Sequence, residues 1–340
     1  MKSTPVDIWF DFANPPHVNL FRPLLQHYQE QDRICYCTAK HFAETIGLLN
    51  KYGINYHLYG KHAGKDRFKK LIALLSRNIE MISRVPDFKI CICSSFEAVQ
   101  IAWLKSRTSI MFDDNEIAPN WLYSKFVSHV LTPAVIDKKY FIKSGISQKK
   151  IIQYDGFKED IYLADYRPDP TFLEKLPFKQ FITVRPENIF ASYVPPNAQS
   201  ITPKLIAALL DEGYNILYLP RYEIDHSYVK GWRPNLFIPD APLNGLDVCY
   251  YSQAVLTGAG TFAREAALLG TPAVSFFAGA QLLSVDQALI SDHKMFYSRD
   301  VTHIISYLAH CQKRNFDQTR SKTVQQQVVS LIDDCLSTIR

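Results

Sequence analysis

Residues 255–276 of this chain, VLTGAGTFAREAALLGTPAVSF, read as a strand, a glycine turn, a short helix and a second strand. Gly258 and Gly260 let backbone N–H groups approach an anion, and the helix behind them points its positive N-terminal end at the same place. A nucleoside diphosphate is the expected guest, seated on Gly258, Gly260 and Thr261. Four residues into the helix, Glu265 interrupts a run of Ala and Leu, placed to accept hydrogen bonds from the two hydroxyls of a ribose. The plain alternative is an exposed carboxylate that favours the helix dipole.

The same alternation runs along the whole chain and implies two parallel sheets. In the first half strands are expected at 6–12, 34–38, 56–59, 89–93, 109–112 and 129–131. In the second they are expected at 181–184, 216–219, 236–238, 254–257 and 273–276. Several are near-continuous apolar runs, as in strands covered on both faces. Two prolines and two aspartates in Asp165-Tyr166-Arg167-Pro168-Asp169-Pro170 mark the crossing between halves. The expected organisation is an N-terminal lobe over 1–165 and a C-terminal lobe over 166–340. A long last helix, 321–339, follows the final strand and is left free to return to the N-terminal lobe. Ligands should bind at the carboxyl ends of the strands.

At 340 residues, each half is large enough to bury its own core. No run reaches the roughly 18 apolar residues of a membrane span, and Met1 to Pro5 lead directly into a strand, so neither a signal peptide nor a spanning helix is expected. The seven cysteines lack C-x-x-C spacing, which fits a reduced, cytoplasmic compartment. The pairs Cys35/Cys37 and Cys91/Cys93 each share one strand face, where cysteine acts as a small hydrophobe. A net charge of +5 does not imply nucleic acid. Basic residues do gather at Lys61, Lys65, Arg67, Lys69, Lys70, Arg77 and Arg84, interleaved with Phe68, Leu71, Ile72, Leu75, Ile79 and Ile82 at helical spacing. Two readings stand for residues 65–84. One is a peripheral contact with an anionic inner membrane face or a lipid-linked acceptor; the other is a sheet-covering helix with a solvated basic face.

Four polar clusters fall at strand ends. After the first strand, Asp11-Phe12-Ala13-Asn14-Pro15-Pro16-His17 forms a proline-stiffened loop. There the helix N-terminus disfavours the protonated form of His17 and leaves a neutral imidazole to meet a hydroxyl or phosphate oxygen; a structural histidine is the alternative. In Asp113-Asp114-Asn115-Glu116-Ile117-Ala118-Pro119-Asn120 the carboxylates cannot all ionise cheaply. One is expected to have a raised pKa and act as a general base, against a helix-capping alternative. Adjacent side chains diverge, so no metal site is expected here. Arg185, with Glu187 and Asn188 behind it, can clamp a diphosphate in bidentate fashion. Asp286 and Gln287 suit sugar hydroxyls, or a helix cap.

With these residues in place, the chain resembles the GT-B superfamily, α/β proteins in which two Rossmann-like lobes face each other across a cleft. The resemblance implies a nucleotide sugar in the C-terminal lobe and an acceptor in the N-terminal one. It is distantly similar to the peptidoglycan N-acetylglucosaminyltransferase. His17 there matches a loop histidine, residues 113–119 a His-Glu-x-Asn-x-x-Pro strand end, Glu265 the ribose-binding glutamate and Asp286-Gln287 an Asp-x-Gln sugar contact. The first loop is Asn-Pro-Pro-His rather than glycine-rich, and the second lobe lacks that enzyme's Gly-Gly-Ser turn. The nucleotide-sugar 2-epimerases end a strand in His-Arg-Arg-Glu-Asn; this chain keeps Arg185, Glu187 and Asn188 but has Val184 at the histidine. More closely, residues 11–21, Gly156 to Leu163, Arg185-Pro186 with Phe190 to Tyr193, and Arg264 to Pro272 look like the glycosyltransferase-like family catalogued as domain of unknown function 354, over nearly the whole chain.

The resemblance implies glycosyl transfer from a nucleoside-diphosphate sugar, with no cofactor beyond that substrate and no metal. An acceptor hydroxyl would enter past Asn14 and lose its proton to His17, Asp114 or Glu116. A nucleotide-sugar 2-epimerase or hydrolase, and a non-catalytic nucleotide-sugar-binding protein, are the alternative readings.

Overall fold

A computed structural model describes residues 6–61, 67–189, 194–195, 197–229, 231 and 233–339, excluding the side chains of 61 and 67–74. Lys65 and the run Phe190 to Tyr193 therefore lie outside the described residues, as do the side chains of Lys61, Arg67, Phe68, Lys69, Lys70, Leu71 and Ile72. The chain divides into two compact units. Unit 1 is Met1–Asp165 with Arg320–Arg340, and unit 2 is Tyr166–Thr319.

In unit 1 the strands are β1 (Val6–Phe12), β2 (Cys35–His41), β3 (His57–Lys61), β4 (Phe88–Cys93), β5 (Thr108–Phe112), β6 (His129–Pro133) and β7 (Ile151–Tyr154). They form one parallel sheet in the order β3-β2-β1-β4-β5-β6-β7. Between them run α1 (Pro15–Glu30), α2 (Thr45–Lys51), α3 (Arg67–Arg84), α4 (Phe96–Leu104), α5 (Lys139–Lys143) and α6 (Lys158–Leu163). Unit 2 has β8 (Ile182–Arg185), β9 (Ile216–Tyr218), β10 (Leu236–Phe237), β11 (Ala254–Thr257), β12 (Ala273–Ser275) and β13 (Met295–Tyr297), parallel in the order β10-β9-β8-β11-β12-β13. Its helices are α7 (Thr202–Asp211), α8 (Gly245–Tyr251), α9 (Gly260–Leu268), α10 (Ser284–Ser291) and α11 (Val301–His310). Each sheet reverses its strand order once, at β1/β4 and at β8/β11, and a crevice opens at the carboxyl ends beside such a switch.

Strands β7 and β13, at one edge of each sheet, are additional to those expected from the sequence. The last helix, α12 (Gln318–Ser337), is tied to unit 1 along its length. The Ser321 hydroxyl donates to Asp160 at 3.0 Å, the Gln327 side chain accepts from the Asp155 amide at 2.9 Å, and the Tyr28 hydroxyl donates to Asp333 at 3.0 Å. No helix among the described residues is long and apolar enough to cross a membrane.

β1 is largely buried and apolar; Asp7 near its start is half-buried, whereas Asp11 near its end is fully buried. A carboxylate there requires a full set of partners. Arg77 of α3 provides two hydrogen bonds from Nη2, at 2.7 and 3.0 Å, Thr38 donates at 2.7 Å and Ser95 at 2.5 Å. The rest of the guanidinium is used as well, with Nε donating to the Tyr59 carbonyl and Nη1 lying 3.3 Å from Glu97. Burial pushes the pKa of Asp11 up, but Arg77 and the two hydroxyls outweigh it and hold the carboxyl below its ordinary value. Gly60 makes room for the arginine: its φ is +77°, and a Cβ there would stand 2.9 Å from the Arg77 side chain.

This arrangement corrects the reading of α3 as a helix with its apolar face inward and its basic face in water. Arg77 is among the largest fully buried side chains, while Leu75, Ile79 and Ile82 are exposed. The cysteine reading holds: Cys37, Cys91 and Cys93 are buried and Cys35 half-buried, all as free thiols, and burial pushes Cys35 and Cys37 up to about 12. Replacing Arg77 by Ala strands a buried carboxylate, so urea denaturation should register a loss of about 3–5 kcal/mol. A loss under about 1 kcal/mol, as for a surface pair, would contradict this account of unit 1.

Candidate functional site

Two groups of polar residues stand at the two strand-order switches. In unit 1 a cavity of about 480 Å³ is lined by the loop after β1, the turn after β4, the segment after β5 and the first residue of α6. Asn14, His17 and Asp114 all line it; Glu116, two residues beyond Asp114, does not.

His17 is buried, and its Nδ1 accepts the Ala13 amide at 3.3 Å. That bond assigns the proton to Nε2, so the ring is a donor toward the cavity. Burial lowers the His17 pKa to about 4, with Lys158 and Arg77 pushing the same way and Asp11 and Asp114 opposing them. A neutral imidazole was expected from the helix dipole; the structure supplies burial as the larger cause. Pro15 and Pro16 carry no N–H, so the start of α1 offers an anion few donors.

The carboxyl of this loop that burial holds near neutrality is Asp113. Burial raises its pKa to about 7 against hydrogen bonds from the Tyr123 hydroxyl and the Asn115 amide at 2.9 Å. The Asn120 side chain, oriented with its nitrogen inward, also donates to Asp113 at 3.1 Å. Asp113 is thus the anchor of the 113–124 loop. Asp114 faces the cavity in an ion pair with Lys158 at 2.7 Å. Glu97 and Lys40, 3.4 Å apart, close another part of the wall.

In unit 2, β8 and β11 are neighbours, and Arg185 is the pairing partner of Thr257. Arg185 therefore leaves its strand beside the turn Gly258-Ala259-Gly260, with its guanidinium 5.5 Å from the centre of the Phe262 ring. The Thr257 hydroxyl accepts the Ala259 amide at 2.9 Å and fixes the turn ahead of α9. Glu265 lies buried in α9, which removes the exposed-carboxylate alternative. Burial pushes the Cys249 thiol far up; Glu265 adds to that shift and Arg185 opposes it, so the carboxylate and the guanidinium share one neighbourhood.

The remaining expected ligands divide. Glu187 is committed to the protein: it accepts from the Ser200 hydroxyl, the Ile201 amide and the Thr202 hydroxyl at 2.6–2.9 Å, with Arg299 at 3.2 Å. A Cβ on Gly258 would stand 2.5 Å from the Glu187 Cα, so this glycine serves close backbone approach as well as the turn. Asp286 neither caps α10 nor stands open; it pairs with the buried Arg264 at 2.8 Å. Arg264 also reaches the Thr261 hydroxyl at 3.3 Å. Asn188 accepts from the Tyr222 hydroxyl at 2.9 Å, and exposed Gln287 donates to the Leu282 carbonyl at 2.9 Å. Among the described residues no group of three or more His, Cys, Asp or Glu is placed to hold a metal ion.

Sequence reasoning gave no site role to Lys158, Tyr123 or Arg264, and it read Arg77 as part of the basic face of 65–84. For Arg77 a signal existed, since an aspartate inside an apolar strand demands a cation. For Arg264 the signal was its place in an otherwise Ala-rich helix.

Solved structures share this architecture. The UDP-GlcNAc 2-epimerase of Methanocaldococcus jannaschii in complex with UDP-GlcNAc and UDP superposes with a TM-score of 0.68 at 11% identity, covering 96% of this chain and 100% of that one. The glycotransferase of kitacinnamycin gives 0.61 at 10% identity, covering 98% and 100%. At these identities the likeness is one of fold, and the fold is GT-B-like, with two Rossmann-type parallel α/β units. Residues 6–338 match the family described as "Protein of unknown function (DUF354)", and the chain belongs to it. A relative, an uncharacterised protein of Methanocaldococcus jannaschii, is 29% identical over 319 residues, which cover 89% of this chain and 91% of the relative.

The two shifted groups in unit 1 act on stability in opposite senses. His17 titrates near 4 when folded against 6.5 when free, so its contribution is present above pH 6.5 and is lost as the pH falls toward 4. Asp113, raised from 3.8 to about 7, contributes fully below pH 3.8, and that contribution is lost as the pH rises through 7. Thermal melts should therefore show the wild type losing ground to His17→Gln on acidification below pH 6.5, and losing ground to Asp113→Asn as the pH is raised from 4 to 8. Melting curves that stay parallel across these windows would contradict both assignments.

Proposed function

We propose that the chain is a glycosyltransferase that takes its sugar from a nucleoside diphosphate and needs no metal to do so. One observation carries the reading: the strand pairing of Arg185 with Thr257 puts a guanidinium beside a glycine turn whose helix holds a buried glutamate. The diphosphate lies over Gly258, Gly260 and Thr261 at the N-terminus of α9, and Glu265 accepts the ribose hydroxyls. Arg185 stabilises the charge that develops on the diphosphate as the sugar C1–O bond breaks. Asn188 and Gln287 are the rim groups for the sugar, while Glu187 and Asp286 act through the residues they hold.

Unit 1 takes the acceptor. Its hydroxyl oxygen forms the new bond to C1 and gives its proton to Asp114. The Nε2–H of His17 orients that hydroxyl, and Asn14 lies at the mouth. Glu116, away from the cavity wall, is left with no part in this scheme. A nucleotide-sugar 2-epimerase or hydrolase is the second reading, supported by the names of several structurally similar proteins. Against it stands Val184, fully buried in β8 at the position where the epimerase pattern has histidine. A non-catalytic binding protein would share the unit 2 site alone.

Calorimetry with UDP should show Glu265→Ala weakened by about 1.5–3 kcal/mol, the usual value for hydrogen bonds to a charged group. Equal affinity in the two proteins would remove the site. Proton NMR of UDP-GlcNAc with enzyme alone should show no 2-epimer; its appearance without acceptor would establish the second reading instead.

A further inference from the structure

Six of the large exposed apolar side chains of unit 1 lie on α3, on α4 or in the turn packed against α4. The side chains of Asn78 on α3 and Gln100 on α4 are hydrogen-bonded at 3.4 Å, and Lys105, just past α4, donates to the Val85 carbonyl just past α3 at 2.9 Å. The two helices therefore run side by side in the same direction. Ile82 lies one turn after Asn78 and Leu104 one turn after Gln100, both between the two inter-helix hydrogen bonds. The Gln100 amide also donates to the Leu122 carbonyl at 3.0 Å, which brings the 3₁₀ turn Asn120–Leu122 against α4. The ring of Trp103 packs on Phe126 with centroids 5.0 Å apart.

One surface thus gathers Leu75 (53% exposed), Ile79 (67%), Ile82 (43%), Trp103 (52%), Leu104 (55%) and Trp121 (69%). A patch of this kind on a folded unit marks an interaction surface. Arg84 and Lys125 are exposed cations at its margin, while the Lys105 ammonium is turned to the Val85 carbonyl, Arg107 is paired with Asp87 at 2.6 Å and Glu80 is the acidic residue on this part of α3. Two tryptophans with a cationic margin suit the water–lipid boundary, where an indole ring sits at headgroup level and ammonium and guanidinium groups meet anionic headgroups. The patch also adjoins the unit 1 cavity: Trp121 lies between Asn120 and Leu122, both of which line it.

We infer that this α3–α4 face docks unit 1 on an anionic lipid bilayer, bringing the cavity mouth to the membrane surface. The inference stands independently of whether unit 2 binds a nucleotide.

Vesicle co-sedimentation tests it, using the full chain and vesicles of phosphatidylcholine alone or with phosphatidylglycerol. Binding is expected to the anionic vesicles at low salt, with a blue shift of tryptophan emission, and to weaken as salt rises to about 0.5 M. Arg84→Glu with Lys125→Glu should lower the partition by about tenfold or more. Ile79→Ser with Trp121→Ser, both highly exposed positions, should abolish it while the melting temperature holds. Absence of binding to anionic vesicles at low salt would overturn the inference. So would a dimer that forms without vesicles and is lost in Ile79→Ser/Trp121→Ser, since a second copy would then be the occupant.

Discussion

A strand covered by helices on both faces has no room for polar chemistry along its length, and this constraint shapes both units. Polar groups are driven to the carboxyl ends, where loops leave the sheet and where a strand-order switch opens a crevice. The parallel pairing puts Asn14 and His17 at one such point and Arg185 with the Gly258–Gly260 turn at the other. Asp11 is a fully buried carboxylate inside a strand. Its enclosure by Arg77, Thr38 and Ser95 ties β1, β2, α3 and the end of β4 together just behind the cavity.

That enclosure has consequences for chemistry as well as stability. With Asp11 and Glu97 both facing Arg77, the charges behind the cavity wall are largely internally paired. Buried beside them, His17 stays neutral, and its amide bond to Ala13 commits the remaining proton to Nε2. Asp114 is paired with Lys158 at the cavity wall, and Asp113 is held as a loop anchor. In unit 2, Glu187 and Asp286 are bound to protein groups, Arg185 ends β8 beside the glycine turn, and Glu265 is buried in the helix that follows it.

Much of this was legible in the sequence because it is local. Near-continuous apolar runs reveal buried strands, and Gly-x-Gly before an Ala-rich helix reveals the turn between β11 and α9. The error over α3 has a non-local origin. A basic residue at helical spacing reads as solvated unless its partner is known, and the partner of Arg77 lies 66 residues away in another strand. Likewise the engagement of Glu187 by Ser200, Ile201 and Thr202 depends on where a later loop returns, which spacing alone does not encode. The choice among three neighbouring acidic residues at 113–116 turned on side-chain direction. That direction is set by Tyr123 and Lys158 from elsewhere in the unit.

The central claim is that unit 2 holds a nucleoside diphosphate at the β8/β11 switch while unit 1 serves another ligand. Hydrogen–deuterium exchange with and without saturating UDP tests it most directly, since amides that cradle a phosphate exchange more slowly when it is bound. The account predicts protection over 257–265 and at 185–188, with 13–17 and 113–120 unchanged. Protection confined to the unit 1 segments, or none at all under saturating UDP, would contradict it.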